Sequence, residues 1–401
     1  MRVLIATLAS PGFVFSSLAV AEALRARGHR VAFVTDAAYA DALAARGFAR
    51  LPNGADDAPS FQLDGWFDPQ RIATQVRHLA AALRAQTPDV VLASNLAMGP
   101  LLVRRLVPVP VAVLGPMVLL WPSLRPSDDP ADAEIEGRLA WRHADQMRHL
   151  TRAADALGIV LPDHGYERSP LFGDRYLLQG VPALQRLRDA LPPAVRFAGP
   201  CTFDAPGHDG VEETAWIARQ RAHGRRIVYV QLGRVFDKPS FWDAFRRRLE
   251  RLDVAAVVCT ERFDGVLDGV PENALVRARV AQDAVLPHAD AVLCAGHPTA
   301  VLGALAHGVP LGIAPAGSGT EENAEACVRG GAAVEIDAAD GDAVPRALER
   351  LLHEPAFRAA ARVLQREIAQ HDGPASVCDE LERLHAEPAR AGDGALSGAV
   401  P

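Results

Sequence analysis

The chain has 401 residues, 49% of them hydrophobic, enough to bury two ordinary cores, and its length suggests two domains. A formal net charge of -7 leaves no basic surface that would mark nucleic acid or an anionic membrane as a partner. Five scattered cysteines (Cys201, Cys259, Cys294, Cys327, Cys378) without C-x-x-C spacing argue against a zinc site or a disulfide framework and fit a reducing cytoplasm.

Arg2 to Ala9 is a continuous apolar run closed by Ser10-Pro11-Gly12. It reads as a strand, too short and too lightly charged for a signal peptide. No window approaches the roughly 18 apolar residues that a membrane-spanning helix needs. Ser17 to Arg27 has helical periodicity, with Leu18, Ala21, Ala23 and Leu24 apolar and Gly28 as its stop, and Val31 to Thr35 is a second buried strand. Strand, helix and strand in this order make a parallel β-α-β unit. The pattern repeats with a helix over Arg71 to Gln86, a strand at Val90 to Ala93, a helix near Met98 to Leu106 and a strand at Val109 to Leu114. This is one doubly wound α/β half.

Trp121 to Asp145 is mixed and proline-punctuated, helical pattern returns over Ala131 to Gly158, and Arg175 to Gln179 reads as a strand. Phe197 to Gly210 carries Gly199, Pro200, Pro206 and Gly207, the composition of a linker. A second α/β cycle follows: strands at Ile227 to Leu232, Val254 to Cys259, Leu275 to Val280, Ala291 to Cys294 and Leu311 to Ala314. Helices at Ser240 to Leu252, Val301 to Ala306 and Glu321 to Arg329 alternate with them, and Pro355 to Gln370 is helical. Residues 387–401 are rich in Ala, Gly and Pro without periodicity and read as a disordered tail.

The most specific stretch lies between Val280 and Val334. It contains Gln282, then Leu286-Pro287-His288, then Ala295-Gly296-His297-Pro298-Thr299-Ala300, then Gly308-Val309-Pro310, then Glu322-Asn323-Ala324. In layout this resembles the nucleotide-sugar signature of the family 1 glycosyltransferases, the group of plant UDP-glycosyltransferases and bacterial macrolide and antibiotic glycosyltransferases. That family writes W-x-P-Q-x-x-x-L-P-H, then H-G-G-x-G-T-x-x-E-A-L-x-x-G-V-P, then D-Q-x-x-N-A. The resemblance implies the GT-B architecture, two Rossmann-like doubly wound parallel-sheet domains facing across a cleft. Its layout gives an acceptor-binding domain over residues 1–198, a linker over 199–222 and a donor domain over 223–354, with C-terminal helices over 355–386 crossing back to the first domain.

A diphosphate needs fixed donors and a positive field, and a helix N-terminus supplies both. The turn Ala295 to Thr299 sits between a strand and a helix, where open α/β sheets bind ligands. Gly296 permits close backbone approach and Thr299 offers a hydroxyl. Ala295 occupies the position of the family's first His, while His297 stands where its second Gly would be and can donate to a phosphate. Gly303 replaces the family's ribose-binding Glu, which leaves UDP and dTDP both open. Arg279 takes the place of the base-stacking Trp; it and its neighbour Val280 are expected beside the base, with Gln282. Arg234 replaces the Ser of an S-L-G-S turn and faces either a diphosphate or solvent. The sugar-contacting D-Q pair is replaced by Gly319-Thr320, so Thr320 and Glu321 are the candidates for sugar contact.

The family's O-transferring members deprotonate the acceptor with a His in P-G-H-x-x-P, oriented by an Asp. Here the first motif reads Pro11-Gly12-Phe13-Val14-Phe15-Ser16, which puts Phe13 at the His position, and Asn95 stands at the Asp position. Both members of the dyad are replaced together. Three explanations compete. The acceptor needs little base, being a heteroaromatic or amide N–H, an electron-rich carbon or an acidic O–H; a cytosylglucuronic acid synthase-like enzyme has this profile. Alternatively another side chain serves, with His78, His143, Asp68 and Asp145 as candidates. In the third, the chain is an inactive partner or activator of another glycosyltransferase. A hydrolysing GT-B epimerase is disfavoured, because no matching acidic constellation stands out.

The expectation is an inverting, metal-independent hexosyltransferase of secondary metabolism that needs no cofactor. It would be cytoplasmic, monomeric or homodimeric, with no stable membrane insertion. Its substrates would be an NDP-sugar (UDP or dTDP) and a small planar acceptor lodged beside Phe13 and Asn95.

Overall fold

Val3 to Ala6 are buried on both faces of the first strand, as a central parallel strand covered by helices must be. The computed structural model describes residues 1–54, 57–122, 130–161, 164–186, 191–203, 209–231, 239–250, 253–260, 267–317, 319–340 and 342–387. In chain order the first part holds β1 (Arg2–Ala6), α1 (Pro11–Ala26), β2 (Arg30–Val34), α2 (Ala40–Ala44), β3 (Ala49–Leu51), α3 (Pro69–Gln86) and β4 (Val90–Ser94). There follow α4 (Gly99–Val103), β5 (Val111–Leu114), α5 (Pro130–Ala156), β6 (Arg175–Leu178) and β7 (Val195–Phe197). The second part holds α6 (Val211–Ala222), β8 (Arg226–Gln231), α7 (Pro239–Leu249), β9 (Val254–Cys259), β10 (Ala274–Arg277), α8 (Gln282–Val285) and β11 (Ala291–Cys294). It continues through α9 (Pro298–Ala306), β12 (Leu311–Ile313), α10 (Thr320–Arg329), β13 (Ala333–Glu335), α11 (Ala343–His353), α12 (Pro355–Ile368) and α13 (Gly373–Ala386).

The chain divides into two compact units. The first comprises Met1–Gln179, Leu187–Phe203 and Asp372–Pro401; the second comprises Gly180–Arg186 and Asp204–His371. The first contains a seven-stranded sheet in the order β3-β2-β1-β4-β5-β6-β7, and the second a six-stranded sheet in the order β10-β9-β8-β11-β12-β13. Every strand pair is parallel, with Ala6 opposite Ala93 in the first sheet and Leu293 opposite Val230 in the second. In each sheet the order reverses beside the first strand, between β1 and β4 and between β8 and β11. These are the switch points where doubly wound folds leave a crevice at the strands' carboxyl ends.

α1 begins at Pro11, well before the helical pattern read from Ser17. Pro11 supplies the starting φ without a wasted N–H, while the aromatic and β-branched run from Phe13 to Phe15 disguises the helix as a strand end. The stretch read as linker contains α6 between Val211 and Ala222, a helix whose Trp216 and Ile217 are buried. β3, β7 and β13 escaped notice because three-residue edge strands have no readable period. Of the two C-terminal helices, α12 belongs to the second unit and α13 to the first, with the passage between His371 and Asp372.

α13 completes the first unit's core. Its Val377, Cys378, Leu381 and Leu384 join Leu18, Ala21 and Leu24 of α1 in one buried cluster. Each buried Leu there contributes about 1.5–3 kcal/mol by removal from water. Glu387, placed at the start of the expected tail, is ion-paired with Arg175; residues 388–401 lie outside the described residues.

Candidate functional site

At the second unit's switch point, β11 ends at Cys294 and the chain turns through Ala295, Gly296 and His297 into α9, with Pro298 at its first position. Gly296 has φ +83°, a conformation that favours glycine, and a Cβ there would stand 2.9 Å from the Thr320 carbonyl oxygen and 3.0 Å from Ile313 Cγ2. The turn is thus pressed against the first residue of α10. Buried Asn323 locks the two together by donating from Nδ2 to the Gly296 carbonyl at 2.9 Å. The N-termini of α9 and α10 therefore lie side by side, each carrying free N–H groups and the positive end of a helix dipole. His297 is the exposed N-cap of α9, Thr299 is half-buried in the first turn, and Ala295 is buried behind them.

Thr320 is buried, and its hydroxyl is engaged within its own turn. Oγ1 accepts from the Ala316 N–H at 2.9 Å and donates to the Gly317 carbonyl at 2.6 Å. This side chain shapes the approach to α10, whereas Glu321 next to it is exposed. Arg279 and Val280 follow β10, at the sheet edge, with Arg279 exposed and Val280 half-buried. Gln282 opens α8, and its Oε1 lies 3.2 Å from where a Cβ on Gly303 would project. Gln282 and Leu286 thus occupy the space beside α9 that a larger residue at 303 would claim. Arg234 lies outside the described residues.

The two positions of the expected dyad follow the first unit's two switch-point strands, β1 and β4. Phe13 sits half-buried in the first turn of α1, beyond β1, and Asn95 directly follows β4, the strand paired with β1. Ser94 ties the two strand ends by accepting the Leu8 N–H on Oγ at 3.1 Å. Asn95 is 8% exposed, and its Oδ1 accepts from the Tyr176 hydroxyl at 3.1 Å. Burial raises the Tyr176 pKa, so this phenol stays a donor. Leu96 follows at φ +69°, a left-handed backbone for a non-glycine residue that costs on the order of 1 kcal/mol or more and is characteristic of sites.

The other base candidates all have structural partners. His78 Nδ1 meets Ser60 Oγ at 2.8 Å, Asp68 caps α3 by accepting the Gln70 N–H at 2.9 Å, and Asp145 is ion-paired with Arg148. His143 Nε2 meets Ser169 Oγ at 2.8 Å, and burial pushes its pKa down to about 4, leaving a neutral ring. Among the described residues no group of three His, Cys, Asp or Glu side chains could hold a metal ion.

Residues 247–384 match the family described as Erythromycin biosynthesis protein CIII-like, C-terminal domain. The chain is 29% identical to 4'-demethylrebeccamycin synthase of Lentzea aerocolonigenes, over 96% of this chain and 99% of that protein. The chain is thus similar, over almost its whole length, to proteins of antibiotic glycosylation. It is also 28% identical to demethyllactenocin mycarosyltransferase of Streptomyces fradiae, over 94% of this chain and 85% of that one. The glycotransferase of kitacinnamycin superposes with a TM-score of 0.71 at 24% identity, covering 96% of this chain and 98% of the other. Glycosyltransferase VinC, solved in complex with dTDP, gives 0.71 at 20% identity over 96% and 100% of the two chains. The fold is GT-B, and no helix among the described residues is long and apolar enough to cross a membrane.

Sequence reasoning passed over Tyr176, Ser94 and the bond from Asn323 to Gly296. Asn323 carried a signal, as the N of the family's D-Q-x-x-N-A pattern. Tyr176 carried none, because a strand residue that meets Asn95 across the sheet has no local spacing to betray it.

Proposed function

We propose that this protein is a glycosyltransferase that moves a sugar from a UDP- or dTDP-sugar to a small planar natural-product acceptor, with inversion and without a metal ion. The nucleophile is a nitrogen, a carbon or an acidic O–H. The observation that carries this reading is the pair Phe13 and Asn95 at the switch point of the first unit. Neither side chain can take a proton at neutral pH, and the Asn95 carbonyl oxygen is already held by Tyr176. A positioned general base is worth about 10²–10⁴-fold in rate. An acceptor that is already acidic or electron-rich dispenses with most of that contribution.

Transfer is then one in-line displacement. The acceptor's electron pair forms the bond to the anomeric carbon, and the bond from that carbon to the β-phosphate oxygen breaks. Its electrons go to the diphosphate, and the acceptor's proton leaves to solvent. A single displacement inverts the anomeric centre. What the protein supplies is orientation and charge stabilisation of the leaving group. The Ala295–Thr299 turn, with His297 and Thr299 and the two helix N-termini, would receive the diphosphate. Arg279, Val280 and Gln282 would hold the nucleoside, Glu321 would face the sugar, and Arg234 would add a cation. Thr320 would contribute through the turn it braces.

Calorimetric titration with UDP, dTDP and UDP-glucuronic acid tests the donor half. Micromolar binding of one supports it and selects the donor for acceptor screening, and the anomeric configuration of the product then tests inversion. Flat titrations with all three would sink the reading in favour of an inactive partner protein.

A further inference from the structure

A narrow cavity opens beside Asn95 at the carboxyl end of β4. It is lined by Asn95, Trp121 and Gln146 and by the apolar side chains of Met98, Val113 and Leu171. Three polar side chains meet on this wall, and one of them holds a buried N–H with no partner among the described residues. Trp121 is 2% exposed, and its Nε1–H has none among the described residues. Gln146 is 5% exposed, and no described residue hydrogen-bonds its carboxamide. Asn95 has its Oδ1 occupied by Tyr176, which leaves the Nδ2 amide as its free end.

A buried polar group left unpaired costs about 1–3 kcal/mol, and native structures rarely tolerate it without a reason. The buried Trp121 N–H, facing a cavity that the Asn95 and Gln146 carboxamides also line, points to a guest. The cavity's volume of about 10 Å³ accommodates little more than one heavy atom. Among the described residues no Lys, Arg, His, Asp or Glu lines it, so a charged guest would find no counter-ion among them. The indole N–H and the Asn95 amide both donate, so the guest atom accepts.

We propose that this cavity seats an uncharged carbonyl oxygen of the planar acceptor, with Trp121 Nε1–H and Asn95 Nδ2 as donors and Gln146 as the third partner. The proposal rests on the first unit being the acceptor side of a glycosyltransferase. It narrows the acceptor class to ring systems that bear a carbonyl, with Trp121 and Gln146 as specificity residues.

The test is NMR of the full-length protein labelled with 15N at the indole nitrogens, without any donor. Oxindole is the carbonyl-bearing probe, indole the same skeleton without the carbonyl, each at millimolar concentration. Trp121→Phe identifies the Trp121 signal. The expected result is a shift of that signal with oxindole and none with indole. Gln146→Leu should weaken oxindole binding about five- to thirty-fold, the effect of one lost buried hydrogen bond. If Trp121→Phe fails to fold, selective titration of the five indole signals and Gln146→Leu still decide the matter. A Trp121 signal that ignores both probes, follows both alike, or shows only contact with a trapped water overturns the proposal. Oxindole binding alongside flat nucleotide titrations would leave the carbonyl site standing and sink sugar transfer. Nucleotide binding with an unmoved indole signal would do the reverse.

Discussion

The Tyr176 hydroxyl donates to Oδ1 of Asn95 at 3.1 Å, joining the middle of β6 to the residue that follows β4. This bond decides which end of the Asn95 carboxamide is free. It also occupies the oxygen that, in a carboxylate, would orient a histidine.

Asn95→Asp alone should create no base, because no imidazole stands at Phe13 to be oriented, and it should lower kcat/KM for a carbonyl-bearing acceptor, because a carboxylate has no N–H to donate. Phe13→His with Asn95→Asp should rebuild a dyad. The double variant is expected to gain turnover of a simple phenol and a new inflection in its pH–rate profile near about 6.5, the histidine value. The unaltered enzyme should show no such inflection, and finding one would place a base elsewhere.

Asn323→Ala should loosen the donor turn. The lost bond to the Gly296 carbonyl is buried, so an unfolding cost of about 1–3 kcal/mol is expected, with weakened nucleotide binding seen by calorimetry. Gly296→Ala should be harsher, since its Cβ would meet the Thr320 carbonyl at 2.9 Å in a left-handed backbone. Nucleotide binding that survives both changes would show that this turn does not hold the diphosphate.

Gly303→Glu restores the residue that the family uses on ribose. Here the new side chain would have to displace Leu286 Cδ1 at 3.1 Å and Gln282 Oε1 at 3.2 Å. Lower thermal stability without tighter UDP binding is therefore expected. Tighter binding would mean that Gln282 and Leu286 yield without penalty.

His143 gives the fold a pH dependence on the acid side. The unfolded ring takes up a proton near 6.5 and the folded one near about 4, because burial disfavours its charged form. Its contribution to stability is therefore complete above about 6.5 and fades as pH falls toward 4. Thermal melting over this window, compared with His143→Gln, should show a flatter decline for the variant.

Leu381→Ala tests the crossing of α13 into the first unit. Leu381 is fully buried against the α1 face, and its truncation should cost about 2–5 kcal/mol, measured by denaturant unfolding. A cost well below 1 kcal/mol would mean that α13 is only laid on the surface.

The GT-B layout was legible because parallel strands buried on both faces write unbroken apolar runs such as Val254–Cys259 and Val90–Ser94. The donor turn was legible for a related reason: Gly296 and Gly308 take left-handed backbone at φ 83° and 65°, Asn323 holds the turn by its side chain, and all three leave their spacing in the chain. The short edge strands left no period, and α1 hid its first turn behind Phe13-Val14-Phe15. By itself, then, the sequence determined the two sheets, the nucleotide-sugar signature and the replacement of both dyad residues, since these rest on local periodicity and fixed spacing. Only the tertiary structure decided that Thr320 braces its own turn, that Gln282 fills the space beside Gly303, and that Tyr176 holds Asn95. It alone placed the Trp121 N–H and the Gln146 amide on one wall with Asn95. Those relationships join residues far apart in the chain, and a hydrogen bond or steric contact between such residues exists only once the strands and helices that carry them have packed.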